Sequence, residues 1–266
     1  MTTLSSGSAT VGATAPVPLI YTPLALRRIA RDTAAAMELS EHGLFWIPSE
    51  DEVGSGYAVI MGPEGTPYDG GAFCFEVRFP ANYPFEPPVF KYLTNDGRTR
   101  FNPNLYTNGK VCLSLLNTWH GEPWSGVQSL GSVLQCLQAS VLVDEPLKNE
   151  PGYANFGTHK DFEPYKRMVF HSVLETAILG QLTPATMPVY LEPVADGVAA
   201  WVARARPRLL ERARTLATTW DSKGEAMSFF NMSQRYRFGA LAASLAGLRL
   251  PTEVAVSGGA TTGCEF

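Results

Sequence analysis

Phe101-Asn102-Pro103-Asn104-Leu105-Tyr106-Thr107-Asn108-Gly109-Lys110-Val111-Cys112-Leu113-Ser114-Leu115-Leu116 is the run on which the fold reading turns. A single thiol, Cys112, follows a Gly-containing loop, and Asn104 stands eight residues before it at the end of an Asn-Pro-Asn turn. Upstream, Gly62-Pro63-Glu64-Gly65-Thr66-Pro67 has turn chemistry throughout. The block Phe79-Pro80-Ala81-Asn82-Tyr83-Pro84-Phe85-Glu86-Pro87-Pro88 is punctuated by proline. Between them Phe73, Phe75, Val77 and Phe79 alternate with Cys74, Glu76 and Arg78, the period of two that gives a strand one strongly apolar face. Residues 57–61 and 89–93 read as two further strands. Strands so closely linked by turns fit an antiparallel meander, because parallel pairs need long crossovers.

Helical patterns flank this core. Thr22 is a good N-cap and Pro23 suits the first helical position. Leu26, Ile29, Thr33 and Met37 then predict one buried stripe, with Arg27, Arg28 and Arg31 on another face. After a Trp- and Pro-rich loop, Ser125 and Gln128 form a candidate capping box. Leu130, Val133, Leu134, Leu137 and Val141 continue as the stripe of a central helix. A further helix is expected over 164–179. Beyond Thr183-Pro184 strand signals vanish. Residues 194–220 read as a helix broken or kinked at Pro207, and 229–248 as another. The division is a loose segment 1–20, an α+β domain 21–180, a helical extension 181–250 and a tail 251–266.

The chemistry is read from Cys112 and Asn104. A cysteine hydrolase needs a base, normally a histidine, held against the thiol. Nothing places a histidine there; His120 is eight residues on, in a loop. An acyl carrier needs the opposite, since a base beside a thioester speeds its hydrolysis. A neutral donor for the oxyanion serves better, and an Asn amide carries two N–H groups without charge. The same Asn can simply bond its own turn. A carrier also needs an accessible sulfur with the amide turned towards it.

These blocks, in this order and spacing, resemble the catalytic domain of ubiquitin-conjugating enzymes over residues 22–175. The family's His-Pro-Asn turn is matched by Asn102-Pro103-Asn104, with Asn102 in place of the mainly structural His. The resemblance implies an antiparallel four-stranded sheet with an N-terminal helix and C-terminal helices. It implies an acyltransferase that receives ubiquitin or a ubiquitin-like protein on Cys112 as a glycyl thioester from an activating enzyme. The modifier then passes to a substrate lysine or to a ligase, with Asn104 stabilising the oxyanion. An acidic loop residue assists the lysine; Asp144, Glu145 and Glu150 are the candidates, alignment favouring Glu150. Arg27, Arg28 and Arg31 would dock the activating enzyme, Phe85 in Tyr83-Pro84-Phe85 would anchor the ligase, and Trp124 matches the family's Trp downstream of the cysteine. Four extra residues around His120 to Pro123 precede that Trp, and Ser114 replaces a common Asp. The runs 100–104, 108–114, Asn117-Thr118-Trp119 and Asn149-Glu150-Pro151-Gly152-Tyr153 resemble the larger Z-type members and also the catalytic domains of the giant conjugating-enzyme/ligase hybrids, and the helical extension resembles the Z type in particular. A non-catalytic binding module on the same fold is the alternative. No metal or organic cofactor is implied; ATP is spent upstream.

Composition narrows the partners. The 266 residues carry a net charge of −4, so no global positive field exists to hold nucleic acid. Four cysteines at wide spacings make neither a disulfide framework nor, with the four histidines, a metal-ligand pattern. Cys74 and Cys136 read as packed thiols. Arg204, Arg206, Arg208, Arg212 and Arg214 read as a solvated basic face. No uninterrupted apolar run is long enough to cross a bilayer, and a cytoplasmic or nuclear location is expected.

Overall fold

The computed structural model of the chain describes residues 20–250. The loose segments expected at 1–20 and 251–266, apart from Ile20, lie outside the described residues, as does Cys264. Helix α1, Pro23–Met37, starts as its sequence predicts: Thr22 Oγ1 accepts the Ala25 N–H at 3.1 Å and Pro23 occupies the first turn. Its stripe is displaced from the one expected. Ala25, Ile29, Asp32 and Ala36 face inwards, while Leu26 and Met37 are exposed. The period is right and the phase is not, because small side chains, not long ones, let α1 sit against the strand and helix beneath it.

Strands β1 Leu44–Pro48, β2 Ser55–Met61, β3 Ala72–Arg78 and β4 Val89–Tyr92 form one antiparallel sheet in that order. Directly paired residues share a face, so the register puts Trp46, Ala58 and Phe75 on one face and Phe45, Val59 and Cys74 on the other. The first face is a core of edge-on rings, with Trp46 against Phe79 and Phe73 against Phe101, each at 6.1 Å. Only this face was expected to be apolar, yet the second is covered too. Tyr57 stacks on Tyr190 at 4.5 Å, Cys74 Sγ lies 3.7 Å from Gln181 Oε1, and a Cβ on Gly197 would come within 2.7 Å of the Phe45 ring. Burial pushes the Cys74 thiol up to about 11, with hydrogen bonds from Thr94 and Tyr190 opposing, as suits a packed thiol. Cys136, expected to be packed, is only half-buried, its Sγ 3.3 Å from Ser140 Oγ.

Helix α2, Leu130–Cys136, runs on as a π-helical turn, Leu137–Val141, and buries the predicted stripe. Its capping box is Ser129 with Ser132, not Ser125 with Gln128. The Gln128 N–H is already spent on Ser125 O in a preceding turn, which delays the helix. Helix α3, Phe162–Ser172, likewise passes through a π segment, Val173–Leu179, into a last turn α4, Gly180–Leu182.

The extension departs most from expectation. Helix α5, Ala195–Trp220, continues unbroken through Pro207, because Val198, Ala199, Val202, Ala205, Leu209 and Ala213 are packed on both sides of it. A two-stranded hairpin, β5 Gly224–Met227 and β6 Met232–Arg235, stands where strand signals were expected to vanish. Its turn places Asn231 in the left-handed region, φ 52°. Only Phe238–Gly247, α6, of the expected 229–248 helix is helical. Two strands of four residues are too short to show a period.

The arginine cluster is a solvated face only in part: Arg204 and Arg214 are exposed, whereas the other three are drawn into contacts. Arg208 grips Asp69 with both arms at 2.7 and 2.8 Å, and Arg212 donates to Thr66 O at 3.0 Å while lying 4.2 Å over the Phe170 ring. Arg206 reaches Leu248 O at 2.9 Å. The Arg208 and Arg212 contacts bind the extension to the sheet domain, and that of Arg206 lies within the extension. Arg208→Ala should cost about 2 kcal/mol, since it strands a buried carboxylate, with solvent access to Arg208 keeping the loss below that of a fully buried pair. Urea unfolding should show it, and adding Asp69→Asn should recover part of the loss.

His171 in α3 is fully buried beside the Tyr236 and Phe238 rings, with Nε2 accepting the Arg237 N–H at 3.3 Å. Burial lowers its pKa from 6.5 to about 4, against the opposing pull of Glu175. The unfolded chain therefore binds the proton first as pH falls. Stability is complete above the unfolded value and drains away down to the folded one, by about 3 kcal/mol. Thermal midpoints of wild type should drop across that window, and those of His171→Phe should drop less.

Candidate active site

Asn102 is the hub of the run that opens the sequence. It is fully buried; its Nδ2 donates to Tyr68 Oη at 2.9 Å and Val141 O at 2.7 Å. Its Oδ1 accepts the Asn104 N–H at 2.8 Å and Asn149 Nδ2 at 3.4 Å. Tyr68 donates onward to Phe101 O at 2.7 Å. Val141 ends the π turn, whose altered bonding leaves carbonyls for side chains; Ser140 O, beside it, accepts Asn149 Nδ2 at 3.0 Å. The position expected to be structural is thus fixed on several sides.

That hub delivers Asn104 to Cys112. Asn104 Nδ2 donates to Cys112 O at 2.6 Å, and the Cys112 N–H donates to Asn104 O at 2.9 Å. Nδ2 carries a second N–H, and Asn104 Oδ1 is buried without a partner. The amide therefore bonds the Cys112 backbone and keeps a second N–H beyond that bond. The sulfur itself is a correction: Cys112 is only 2% exposed, where an accessible thiol was expected. The following chain doubles back over this turn. Thr118 Oγ1 accepts the Leu113 N–H at 2.9 Å and contacts Val111 O at 2.7 Å, bracketing Cys112. Asn117 Oδ1 accepts the Trp124 N–H at 2.9 Å, and a Cβ on Gly121 would meet Ser114 Cβ at 3.0 Å. Residues 117–123 are themselves exposed.

No histidine among the described residues bonds Cys112. His120 sits 5.8 Å from the Trp119 ring in the exposed loop, and His159 and His171 have other partners. Nor does any group of three His, Cys, Asp or Glu side chains among the described residues suit a metal ion. Of the acidic candidates, Asp144 and Glu145 bind Lys166 at 3.2 and 2.9 Å. Glu150, at the end of the short 3-10 turn Pro146–Asn149, shares no such pair among the described residues.

Two expected partner contacts turn inwards. Arg28 holds Asp32 at 2.9 Å and donates to Gly126 O at 2.7 Å and to Gln128 O, and Tyr83 donates to the same Asp32. It is a tie between α1 and the 126–128 turn rather than part of a docking face; its spacing of four from Asp32 was the available signal. Trp124 is buried and its indole N–H donates to Pro84 O at 2.8 Å. Both brace the Tyr83-Pro84 loop from within, which leaves Phe85 68% exposed at its tip. Arg27 and Arg31 stay exposed on α1. A cavity of about 420 Å³ between α3 and α5, lined by Lys166, Arg167, Arg208 and Arg212, includes no residue of the Asn104–Cys112 run.

The sheet and its flanking helices, with Asn104 held beside Cys112, are an α+β fold of one class, and the comparisons name its family. The family model described as ubiquitin-conjugating enzyme matches residues 28–172, and the chain belongs to that family. It is similar to ubiquitin-conjugating enzyme E2 Z of Homo sapiens, 41% identical over 157 residues, which are 59% of this chain and 44% of that protein. The putative ubiquitin-conjugating enzyme E2 38 of Arabidopsis thaliana is 44% identical over 135 residues, 48% of this chain and 41% of that protein. The human dual E2 ubiquitin-conjugating enzyme/E3 ubiquitin-protein ligase BIRC6 is 43% identical over 136 residues, 48% of this chain but 3% of that protein. The chain thus spans under half the length of these relatives. No helix among the described residues is long and apolar enough to cross a membrane.

Proposed function

We propose that this protein carries ubiquitin or a ubiquitin-like protein as a thioester on Cys112 and passes it to an amine or to a ligase cysteine. The Cys112 thiolate attacks the thioester carbonyl presented by an activating enzyme and displaces that enzyme's thiolate. A substrate lysine, its proton taken through Glu150 or water, then attacks the new thioester. The carbonyl oxygen becomes an oxyanion, Asn104 Nδ2–H donates to it, and collapse expels the Cys112 thiolate as the amide forms. Arg27 and Arg31 offer the activating enzyme a cationic face, and Phe85 offers a ligase an apolar anchor. The observation that carries this reading is the paired hydrogen bonding of Asn104 and Cys112 with no histidine base at the thiol.

The burial of Cys112 favours a second reading, a binding module on the same fold. One assay separates them: incubation with activating enzyme, ATP and each of several modifiers. A reductant-sensitive adduct supports the carrier; none with any modifier supports the binding module.

A further inference from the structure

The tip of the β5–β6 hairpin and the segment 97–107 enclose an open cleft of about 390 Å³, lined by Arg98, Arg100, Thr107, Phe230, Asn231 and Ser233. No carboxylate lines it. Arg98 is exposed and makes no ion pair among the described residues. Arg100 lies 3.3 Å from the Tyr106 ring centre and donates to Asn102 O at 3.1 Å and Pro103 O at 2.7 Å, again with no acidic partner. Asp96, two residues before Arg98, is occupied by the Arg98 and Thr99 N–H groups and the Thr99 hydroxyl at 2.9, 2.6 and 2.8 Å. Lys110 adds a third cation, 5.5 Å from the Tyr106 ring centre. In a chain of net charge −4 this is a local inversion of sign.

We propose that this cleft binds an acidic segment of the acceptor protein, with Asp or Glu side chains flanking the lysine that is modified. Guanidinium forks match carboxylates in shape as well as charge. The Asn231 amide and Ser233 hydroxyl supply polar contacts, and Phe230 an apolar wall. The placement suits an acceptor because Arg100 bridges the cleft to the carbonyls of the turn that carries Asn104. One wall comes from the extension, so the hairpin acts as a substrate-selecting part. The identity of the occupant rests on the conjugating-enzyme reading; the sign of the cleft does not.

The test uses the full chain and a fluorescent lysine peptide flanked by Asp and Glu, against the same peptide with Asn and Gln, read by anisotropy. The acidic peptide should bind more tightly, and more so at low salt. Arg98→Glu should weaken it about fivefold while leaving the amide peptide unchanged. Ser233→Glu, at a separate exposed position, should act in the same direction, and unchanged thermal midpoints would exclude misfolding. With charged protein, Arg98→Glu should raise KM for the acidic acceptor and leave thioester formation and kcat alone. Equal binding of the two peptides, indifference to Arg98→Glu, or an oligonucleotide that outcompetes the acidic peptide would each overturn the proposal. Binding is read whether or not Cys112 is charged, so a failed thioester assay would count against the carrier reading only.

Discussion

Replacing Cys112 by Ser should yield a modifier adduct that survives reductant, and replacing it by Ala should yield none. The Ala variant lacks any acceptor atom, so transfer falls to background. The Ser variant makes an oxyester, slowly, because a hydroxyl without a neighbouring base is a weak nucleophile. A denaturing gel with and without reductant reads both outcomes. A wild-type adduct that persists in the Ala variant would mean that another residue carries the modifier. The burial of Cys112 adds a sharper expectation. In the native protein, iodoacetamide should label the half-buried Cys136 before Cys112, and an activating enzyme with modifier should protect Cys112 as charging proceeds. A protein C-terminus cannot reach a sulfur so covered unless the covering chain moves. The exposed 117–123 loop bonds the residues on either side of Cys112 through Thr118 and turns back on Ser114.

Asn104→Ala should slow transfer to lysine by about two to three orders of magnitude, the usual loss for one oxyanion donor. Charging should suffer less, because thiol attack is intrinsically fast and leans less on that donor. Single-turnover discharge of preformed thioester onto free lysine separates the two steps. The same substitution removes the 2.6 Å bond to Cys112 O, so a purely structural role must be tested beside it. Stability makes that distinction, because the brace and the oxyanion donor are the same amide group. A variant that discharges slowly while keeping the wild-type thermal midpoint and charging rate has lost the oxyanion donor, a variant that loses all three has lost the brace, and a discharge rate close to wild type would sink the oxyanion role.

The chemistry-bearing run could be read directly because its signals are local. The Asn-Pro-Asn turn, the spacing to Cys112, the Thr22-Pro23 helix start and the alternating phenylalanines are each settled by neighbouring residues. The roles of Arg28 and Trp124 could not be read that way. A surface arginine and one that spends its donors on Asp32, Gly126 and Gln128 differ in contacts made about a hundred residues away in sequence. The arginine cluster of α5 misled for the same reason: its partners Asp69 and Thr66 lie in the turn before β3. Pro207 read as a break because an isolated helix loses a bond and gains a clash there, whereas here packing along both halves of α5 holds the helix through it.

What the sequence alone determined was the family, the meander and the nearness of Asn104 to Cys112, all properties of short-range pattern. Tertiary structure alone decided that the extension seals the second face of the sheet, that the sulfur is covered, and that a basic cleft opens beside the Asn104 turn. Burial and charge balance are sums over distant neighbours, and a linear pattern carries no record of which neighbours those are.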